Sequence, residues 1–354
     1  MNEAAFRELI SGEKSGLVAG AARTGLSLLS PFYGAAAWAR NRLFDAGVLK
    51  AHTARAPVIS VGNVTTGGTG KTPLVAWLVH WFHARNIRVS ILSRGYRALP
   101  GDVNDEKLVL DQLCPGVPHL QQPDRVASAE RACREFGSQA LILDDGFQHR
   151  RLRRDLDIVL VDALNPWGYG HLLPRGLLRE RLSGLRRADV IVLTRADQVS
   201  EEARHALRTE LARHRGSSDC VEVAFVPEKL VNARGESAAF SMLMNRPVGA
   251  YCGIGNPDAF RRTLADAGIS VGPNSFRPFP DHHHYTDAEL DAMGRDFAAL
   301  GASAIVTTQK DLVKTTRVEL AGMPLWGVRI GAKFLAGEEL LDYKLSIIAD
   351  LLHR

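Results

Sequence analysis

The stretch from Val58 to Leu78, VISVGNVTTGGTGKTPLVAWL, constrains the fold of this chain more than any other. Its apolar, β-branched start predicts a buried strand. A glycine-rich turn and Lys71-Thr72 follow, and an apolar-periodic helix then begins with Pro73 in its first turn, where a missing N–H costs little. Because glycines let backbone N–H groups approach phosphate oxygens, this order of elements predicts a phosphate-binding loop.

Most of the candidate nucleotide-binding residues lie in this loop. Lys71 would reach the β- and γ-phosphates of a nucleoside triphosphate, and the Thr72 hydroxyl would ligate Mg²⁺. The alternative is a glycine-rich turn with an incidental Lys-Thr, since Thr65 stands where the usual pattern G-x-x-x-x-G-K-[ST] has glycine. The candidates are Thr65, Thr66, Gly67, Gly68, Thr69, Gly70, Lys71 and Thr72.

Length and composition place the chain among globular proteins of about two domains. It has 354 residues and a net charge of +5, which fits an anionic partner without choosing among nucleotide, phospholipid and nucleic acid. Its four cysteines form no C-x-x-C pair, which disfavours a disulfide framework or a zinc site and favours a reducing cytosol. No apolar run approaches the ~20 residues that span a bilayer, and the N-terminus does not resemble a secretory signal.

Residues 1–50 contain an apolar stretch with aromatic residues, from Leu26 to Ala39, followed by the basic residues Arg40, Arg42 and Lys50. This pattern predicts an amphipathic helix. Such a helix can lie in a membrane interface, with its basic residues on anionic headgroups. The alternative is a helix packed on the domain's own sheet.

Two aspartates, Asp144 and Asp145, directly follow the apolar run Ala140–Leu143. An apolar strand ending in aspartate is the Walker B pattern, whose carboxylate holds Mg²⁺. Such residues belong at the carboxyl end of a parallel strand, where α/β folds bind ligands. Gln148 extends the following loop. The four arginines within Arg150–Arg154 form either a solvated turn or a patch for an anionic substrate.

Two further polar segments are candidates for chemistry. The strand Val89–Leu92 ends before Arg94, in a loop rich in anion-binding groups. The polar loop after it carries Asp105 and Glu106, which are either solvated or available to a metal ion or a hydroxyl group.

Two segments beyond residue 170 bear on the ligand. Leu172–Leu182, LLPRGLLRERL, alternates apolar and basic residues, which suits a ligand with both lipid and phosphate; the alternative is a surface helix with a solvated basic face. The strand Val190–Leu193 ends in Thr194–Asp197, which resembles the N-K-x-D base-reading motif of GTPases but lacks its Asn and Lys. Guanine specificity is therefore not expected.

In the C-terminal part, three consecutive histidines follow Asp281. Neighbouring residues on an extended chain point in different directions and make poor shared metal ligands. One histidine bonded to a carboxylate is the better interpretation, and the alternative is a helix N-terminus capped by Thr286. Gln309-Lys310-Asp311 forms another polar cluster at a strand end, with no role assigned.

Strands alternate with helices over residues 55–200. They predict an α/β fold, a P-loop NTPase-like, doubly wound, mainly parallel sheet with a second, smaller α/β lobe. We expect an N-terminal amphipathic helical segment at 1–50, a P-loop kinase core at 51–225 and the smaller lobe at 226–354. Helices of the core may return at the C-terminus, in which case the last residues would pack on the first domain.

Taken together, these motifs resemble the tetraacyldisaccharide 4′-kinase family of lipid A biosynthesis. The resemblance runs in order from about Leu28 to Lys314, and Thr at the first loop position is usual in that family. The blocks that carry it are VGNVTTGGTGKTP, SRGY, NDE, LDDGFQH, LLPRGLLRE, GIGNP, DHHHYT and TTQKDLVK.

The resemblance implies an enzyme that uses ATP and Mg²⁺ to phosphorylate the 4′-hydroxyl of a tetraacylated disaccharide 1-phosphate, giving lipid IVA. It also implies two α/β/α lobes joined by a β linker. The protein would be peripheral on the cytoplasmic face of the bacterial inner membrane, engaged through its N-terminal helix, with no nucleic-acid partner.

Site residues are carried over from the family by motif. The resemblance makes Asp105 the catalytic base and His282 the residue that orients it, with Lys71 completing the catalytic set. Metal ligands would be Thr72, Asp144 and Glu106. The family usually has Gly and Pro around the acidic pair, where this chain has Asn104 and Lys107, and often Glu where Gln309 stands. Candidate substrate-binding residues are Arg94, Asp145, Gln148, Arg151 and Arg179.

Two other functional classes remain open at this point. One is a P-loop GTPase or metallochaperone-type ATPase, which would be a switch without a lipid substrate. The other is a nucleotide-binding module without catalysis, in which Asp105 and Asp144 would be idle.

Overall fold

A computed structural model describes residues 3–95 and 104–352. These residues divide into two compact units. The first holds 3–95, 116–225 and 332–352, and the second holds 104–115 and 226–331. The division differs from the predicted domains at 104–115, which belongs to the second unit. The C-terminal residues rejoin the first unit, a return that the domain prediction had included as an alternative.

Helices and strands alternate along most of the chain. The helices are α1 (Glu3–Ser11), α2 (Leu17–Asp45), α3 (Lys71–His83), α4 (Asp105–Leu113), α5 (Arg125–Phe136), α6 (Glu201–Arg215), α7 (Pro257–Asp266), α8 (Asp287–Ala299), α9 (Gln309–Leu312) and α10 (Glu338–Leu352). The strands are β1 (Val58–Asn63), β2 (Val89–Ser93), β3 (His119–Gln121), β4 (Ala140–Asp144), β5 (Leu156–Asp162), β6 (Val190–Thr194), β7 (Val221–Val231), β8 (Ser237–Ala238), β9 (Val248–Cys252), β10 (Val271–Pro278), β11 (Ala304–Thr308), β12 (Glu319–Leu320) and β13 (Met323–Ala336).

The first unit is built on a parallel sheet whose strands run in the order β7-β6-β5-β1-β4-β2-β3. The chain leaves β1 towards β2 on one side and later reaches β5 on the other, which is the doubly wound arrangement. All residues of β1 and β4 are buried. Continuous apolar runs of this kind are expected when helices cover both faces of a parallel sheet. The predicted fold class is confirmed.

The second unit has its own sheet, in which β9 lies parallel to both β10 and β11, and β11 lies parallel to β13. Two short strands pair antiparallel with longer ones, β12 with β13 and β8 with β7. The core between this sheet and helices α7 and α8 includes Tyr251, Leu264 and Phe297, all fully buried. The strands β7 and β13 each carry the chain across the boundary between the units.

Helix starts in both units follow local capping chemistry. Asp124 accepts hydrogen bonds from the N–H groups of Val126 and Ala127 at the start of α5. Thr286 caps α8 in a full capping box with Glu289, so the helix start at Thr286 that was the alternative interpretation of this segment is present. Asn104 caps α4 by accepting from the Glu106 N–H, so Asp105 and Glu106 lie in the first turn of a helix. The prediction of a polar loop at these two residues was therefore wrong.

The segment 172–182 forms neither a helix nor a strand of the main sheet. Leu178 instead makes isolated bridges with Thr65 and Leu172. The alternative interpretation of this segment as a surface helix was wrong, because its backbone is committed to pairing with the residues that follow β1.

Within the described residues 3–95 and 104–352, no helix combines the length and the apolar character needed to cross a bilayer. The longest, α2, has charged and small polar residues among its apolar ones.

The packing of the C-terminal helix α10 within the first unit can be tested by substitution. Leu345 is 0% exposed and Leu351 is 65% exposed on the same helix. We expect Leu345→Ala to lower the free energy of unfolding by about 2–5 kcal/mol, since it removes buried methyl groups and leaves a cavity. Leu351→Ala, the matched control, should change it by less than about 0.5 kcal/mol. Chemical denaturation measures both, and equal effects would contradict the packing of α10.

Candidate active site

The glycine turn between β1 and α3 has the geometry of an anion cradle. Gly67 and Gly70 have φ values of 117° and 83°, which side chains rarely tolerate. A Cβ at Gly70 would also lie 2.0 Å from the ring of Phe225. Only glycine fits there, and it allows α3 to begin at Lys71 with its first N–H groups directed at the turn.

The residues just before the turn are held by the irregular segment 172–182. The Thr66 N–H donates to the Leu177 carbonyl at 2.8 Å, and the Arg179 N–H donates to the Val64 carbonyl at 2.8 Å. These two bonds fix the residues that lead into the glycine turn. They also hold the Arg179 backbone beside those residues. Sequence reasoning had no signal for this pairing, since the two segments lie far apart in the chain.

Asp144 and Asp145 end β4 beside β1. The register pairs Val61 with Asp144, whose side chain is buried. Asp145 has a φ of 53°, in the left-handed region that aspartate tolerates better than most residues. Its carboxylate accepts two bonds from Arg179, at 2.8 and 2.9 Å, and lies 3.6 Å from the Lys71 ammonium. The structure thus gathers Lys71, Asp145 and Arg179 into one charged cluster.

The charges in this cluster determine how Asp145 ionises. Burial alone would raise its pKa, but the positive charges of Lys71, Arg179 and Arg125 outweigh that effect and hold the pKa below its ordinary value. Asp145 is therefore ionised at neutral pH. The carboxylate of Asp145 thus balances the positive charges of Lys71 and Arg179, which are the charges that a phosphate group would contact.

Gln148 belongs to the same region. Its side-chain amide donates to the Asn63 carbonyl and to Glu180, each at 3.0 Å. Glu180 is buried and also accepts from Arg187 at 2.7 Å and from Asn41 at 3.0 Å. Sequence reasoning missed Glu180, although its position next to Arg179 in an apolar-basic run was an available signal.

A second residue that sequence reasoning missed is Arg195. It lies at the position of the incomplete N-K-x-D motif, has a φ of 55°, and donates to Asp162 at 2.9 Å. It also donates to the Gly68 carbonyl at 2.8 Å. Arg195 therefore links the end of β5 to the glycine turn, and its role is compatible with the absence of guanine recognition.

The second unit brings together Asp105 and His282. His282 Nδ1 lies 3.1 Å from Asp105 Oδ2, as expected for one histidine bonded to a carboxylate. The Lys314 ammonium approaches the same oxygen at 3.4 Å. His282 has a φ of 60°, held by its N–H bonds to the Gly253 carbonyl and to Asp281. Strained residues held in this way are common at functional sites.

Electrostatics at Asp105 resemble those at Asp145. Burial raises the pKa of Asp105, and the hydrogen bond from His282 with the charge of Lys314 outweighs it, so the pKa lies below its ordinary value. The carboxylate is ionised at neutral pH and can accept a proton. His283 contacts Glu289 instead, so the consecutive histidines do not share one partner.

The remaining site residues predicted from the sequence lie outside the two charged clusters described above. Glu106 is exposed in the first turn of α4, and Arg94 is exposed just after β2. Arg151 lies 3.4 Å from Asp124, and its neighbours Arg150 and Arg154 pair with acidic groups of the same unit. The run Arg150–Arg154 is thus largely internally paired, which argues against a substrate patch made of all its arginines.

The groups that could hold a divalent cation in the first unit are oxygens. Thr72 lies in the first turn of α3, and Asp144 ends β4. Across 3–95 and 104–352, no group of three or more His, Cys, Asp or Glu side chains could hold a metal ion by itself. A hydroxyl with a single carboxylate fits Mg²⁺, which keeps several waters and binds substrate phosphates.

Comparison with known proteins identifies the family. The family model for tetraacyldisaccharide-1-P 4′-kinase (LpxK) matches residues 22–347. The chain belongs to this family. It is a kinase of lipid A biosynthesis that phosphorylates the 4′-hydroxyl of the tetraacyldisaccharide 1-phosphate.

Individual relatives agree over nearly the whole chain. The chain is similar to the tetraacyldisaccharide 4′-kinases of Anaeromyxobacter sp. (strain Fw109-5), at 43% identity over 91% of this chain and 90% of that protein, and of Anaeromyxobacter dehalogenans (strain 2CP-C), at 41% over 94% and 93%. Its structure is similar to the crystal structure of the "apo" form of LpxK from Aquifex aeolicus in complex with ATP. That match has a TM-score of 0.74, 31% identity, and covers 92% of this chain and 99% of the other.

His149, in the same block as Gln148, predicts acid sensitivity of the first unit. Burial and the charges of Arg125, Arg154 and Arg151 lower its pKa to about 4. Between pH 6.5 and 4 the unfolded chain takes up a proton that the folded chain refuses, so stability falls as pH falls through this window. Thermal denaturation of wild type should show a loss on the order of 2 kcal/mol between those pH values. His149→Gln should remove most of that difference, and an unchanged pH dependence would contradict the assignment.

Proposed function

We propose that this chain transfers the γ-phosphate of ATP to the lipid's 4′-hydroxyl with the residues described above in defined roles. The observation that carries the proposal is the glycine turn with Lys71, next to the acidic end of β4. This is the arrangement with which P-loop enzymes bind a triphosphate and its metal ion. The similar Aquifex aeolicus protein was solved in complex with ATP, which supports ATP as the donor here.

In the first unit, the backbone from Thr65 to Gly70 would surround the phosphates, with Gly67 and Gly68 supplying N–H groups. The N–H groups of Thr66 and Thr69 hold the shape of the turn instead, through the carbonyls of Leu177 and Gly67. Lys71 would exchange its contact with Asp145 for the β- and γ-phosphates. We place Arg179 and Gln148 at the reacting phosphates as well, because they contact Asp145 and the lead-in to the turn. Arg94 and Arg151 remain candidates for the 1-phosphate of the lipid.

Mg²⁺ would be held by Thr72 and Asp144 of the first unit. When bound, it would neutralise negative charge on the phosphates. The protein's own part is to hold these oxygens in place, and the buried end of β4 does so for Asp144. The metal-ligand role that the family resemblance gives Glu106 stays a prediction.

In the second unit, Asp105 would accept the proton of the attacking hydroxyl. The sugar oxygen forms a bond to the γ-phosphorus of ATP, and the bond from that phosphorus to the β,γ-bridging oxygen breaks, which releases ADP. The O–H bond of the sugar breaks as well, and its proton passes to the Asp105 carboxylate. His282 would hold Asp105 in the orientation for this step. The lowered pKa keeps Asp105 ready to accept the proton at neutral pH.

Label transfer tests the reaction and the base together. With γ-³²P-ATP, Mg²⁺ and tetraacyldisaccharide 1-phosphate in detergent, wild type should give labelled lipid. Asp105→Asn should lower the rate by about 10²–10⁴-fold, because it removes the proton acceptor and preserves the side-chain shape. The matched control is Asp266→Asn, an exposed aspartate of α7 in the same unit, which should leave the rate unchanged.

The possible results separate the functional classes. No labelled lipid from folded wild type that binds ATP would refute the kinase proposal and favour a switch-type NTPase. Full transfer by Asp105→Asn would keep the reaction and remove Asp105 from its role.

We also propose that α2 attaches the protein to the cytoplasmic face of the inner membrane. Leu17, Leu28 and Phe32 follow each other at intervals of 11 and 4 residues, which puts them on one side of a helix. All three are exposed, Phe32 to 75%. The opposite side is packed, since Ser30 bonds to the Leu172 carbonyl and Asn41 bonds to Glu180.

This arrangement leaves a continuous apolar face that nothing in the first unit covers among its described residues. Arg42 lies beside the exposed Trp38 at 5.7 Å, so a cation accompanies an aromatic ring as it does at bilayer interfaces. An acylated substrate would be delivered from the same membrane.

Vesicle flotation tests the membrane proposal. Wild type should bind vesicles of phosphatidylethanolamine and phosphatidylglycerol. The double variant Leu28→Asp with Phe32→Asp should bind at least about 10-fold more weakly, because two apolar side chains no longer enter the acyl region. Ser27→Asp adds a carboxylate to an exposed position on another side of α2 and should reduce binding far less. Equal binding by all three proteins would exclude α2 as the anchor.

A further inference from the structure

The polar run Gln309-Lys310-Asp311, which has no role in the function proposed above, lies against the Asp105–His282 pair. Thr308 caps the short helix α9, which contains Lys310, and Lys314 lies in the turn that follows this helix. The Lys310 ammonium lies 3.3 Å from His282 Nε2. The Lys314 ammonium lies 3.4 Å from Asp105 Oδ2. One lysine thus faces each member of the pair.

Both ammonium groups are anchored by carboxylates of the same unit. Lys310 contacts Asp281 Oδ1 at 3.2 Å. Lys314, which is almost fully buried, contacts Asp311 at 3.0 Å and donates to the His283 carbonyl at 3.1 Å. Asp311 is 0% exposed and also accepts from the Gly253 N–H at 2.9 Å. These contacts hold both ammonium groups in place beside the Asp105–His282 pair.

A charged lysine can only donate hydrogen bonds, and neutral imidazole has one donor nitrogen and one acceptor nitrogen. Contact with the Lys310 ammonium therefore makes Nε2 of His282 the acceptor. The proton must then lie on Nδ1, which donates to Asp105 Oδ2 at 3.1 Å. A ring with an N–H at Nε2 would place two donors against each other, which does not fit this contact.

We infer that Lys310 is a positioning residue that fixes His282 as the neutral, Nδ1-protonated tautomer and so orients Asp105 for the reaction. The inference rests on the proposed function, and it deepens it. With His282 and Lys314 both on Oδ2, Oδ1 is the oxygen that these contacts leave for the hydroxyl proton. Loss of Lys310 would free His282 to adopt the other tautomer, whose Nδ1 cannot donate to Asp105.

Nitrogen NMR reads the tautomer directly and needs no turnover. Protein labelled with ¹⁵N-histidine should show His282 with a protonated Nδ1 and an unprotonated Nε2 in long-range ¹H–¹⁵N spectra at pH 7.5. The signal is assigned by its loss in His282→Gln. Lys310→Met should shift His282 to a mixture or to the Nε2-protonated form. Lys333→Met, which removes an exposed lysine of β13, should leave the spectrum unchanged.

Two NMR results would overturn the inference. One is a wild-type His282 that is protonated on Nε2 or on both nitrogens. The other is a Lys310→Met protein that keeps the wild-type tautomer in full, which would mean that Asp105 alone fixes it.

Kinetics provide the second readout. Lys310→Met should lower kcat about 10- to 100-fold, with the KM for ATP unchanged. Lys310→Arg should recover much of kcat, because arginine is also a donor without an acceptor. A wild type that shows the Nδ1-protonated tautomer and yet labels no lipid would refute the proposed function and leave the tautomer assignment standing. Normal kcat in Lys310→Met would refute the positioning role alone.

Discussion

Compensation of partly buried charge is the interaction on which both clusters depend. Asp145 lies between Lys71 and Arg179 in the first unit, and Asp105 lies beside Lys314 in the second. In each case burial works against the carboxylate. The charges of Lys71 and Arg179 outweigh burial at Asp145, and the hydrogen bond from His282 with the charge of Lys314 outweighs it at Asp105, so both acids stay ionised. Breaking such a pair on one side leaves an uncompensated charge, which costs far more than the pair contributes. Ions held in this way are ready for chemistry without further rearrangement of charge.

Sequence reasoning succeeded where the signal is local. The β1–turn–α3 unit, the strand before Asp144 and the cap at Thr286 each depend on a few consecutive residues. It failed at Asp105 and Glu106, where charged residues suggested a loop and the Asn104 cap started a helix instead. It could not see that 172–182 pairs with the residues after β1, because contacts between distant segments depend on the whole fold. Asp105 was matched to His282 only through the family resemblance, and Lys310 was left without a role.

The N-terminal helix α2 packs one side on the first unit and leaves apolar residues exposed on another side. The apolar and polar residues of α2 do not separate cleanly, because apolar or small residues lie on two sides of the helix. One side is packed and contains Ser30 and Asn41, and the other is exposed and contains Phe32. A sequence pattern cannot divide such residues between protein and lipid, since both demand the same hydrophobicity. The two interpretations offered for this segment were therefore not exclusive, because packing on the first unit is what presents the other side.

The glycine turn must act as a preorganised cradle although its backbone is intrinsically flexible. Glycine-rich backbone loses more entropy on ordering than any other, so it needs fixed points outside itself. The structure provides them at both ends, through the Thr66 N–H bond to Leu177 and the Arg195 bond to the Gly68 carbonyl. Electrostatic stabilisation is most effective when its dipoles are already in place as charge develops. Arg195, at the position of the incomplete N-K-x-D pattern, thus holds the turn in place through the Gly68 carbonyl.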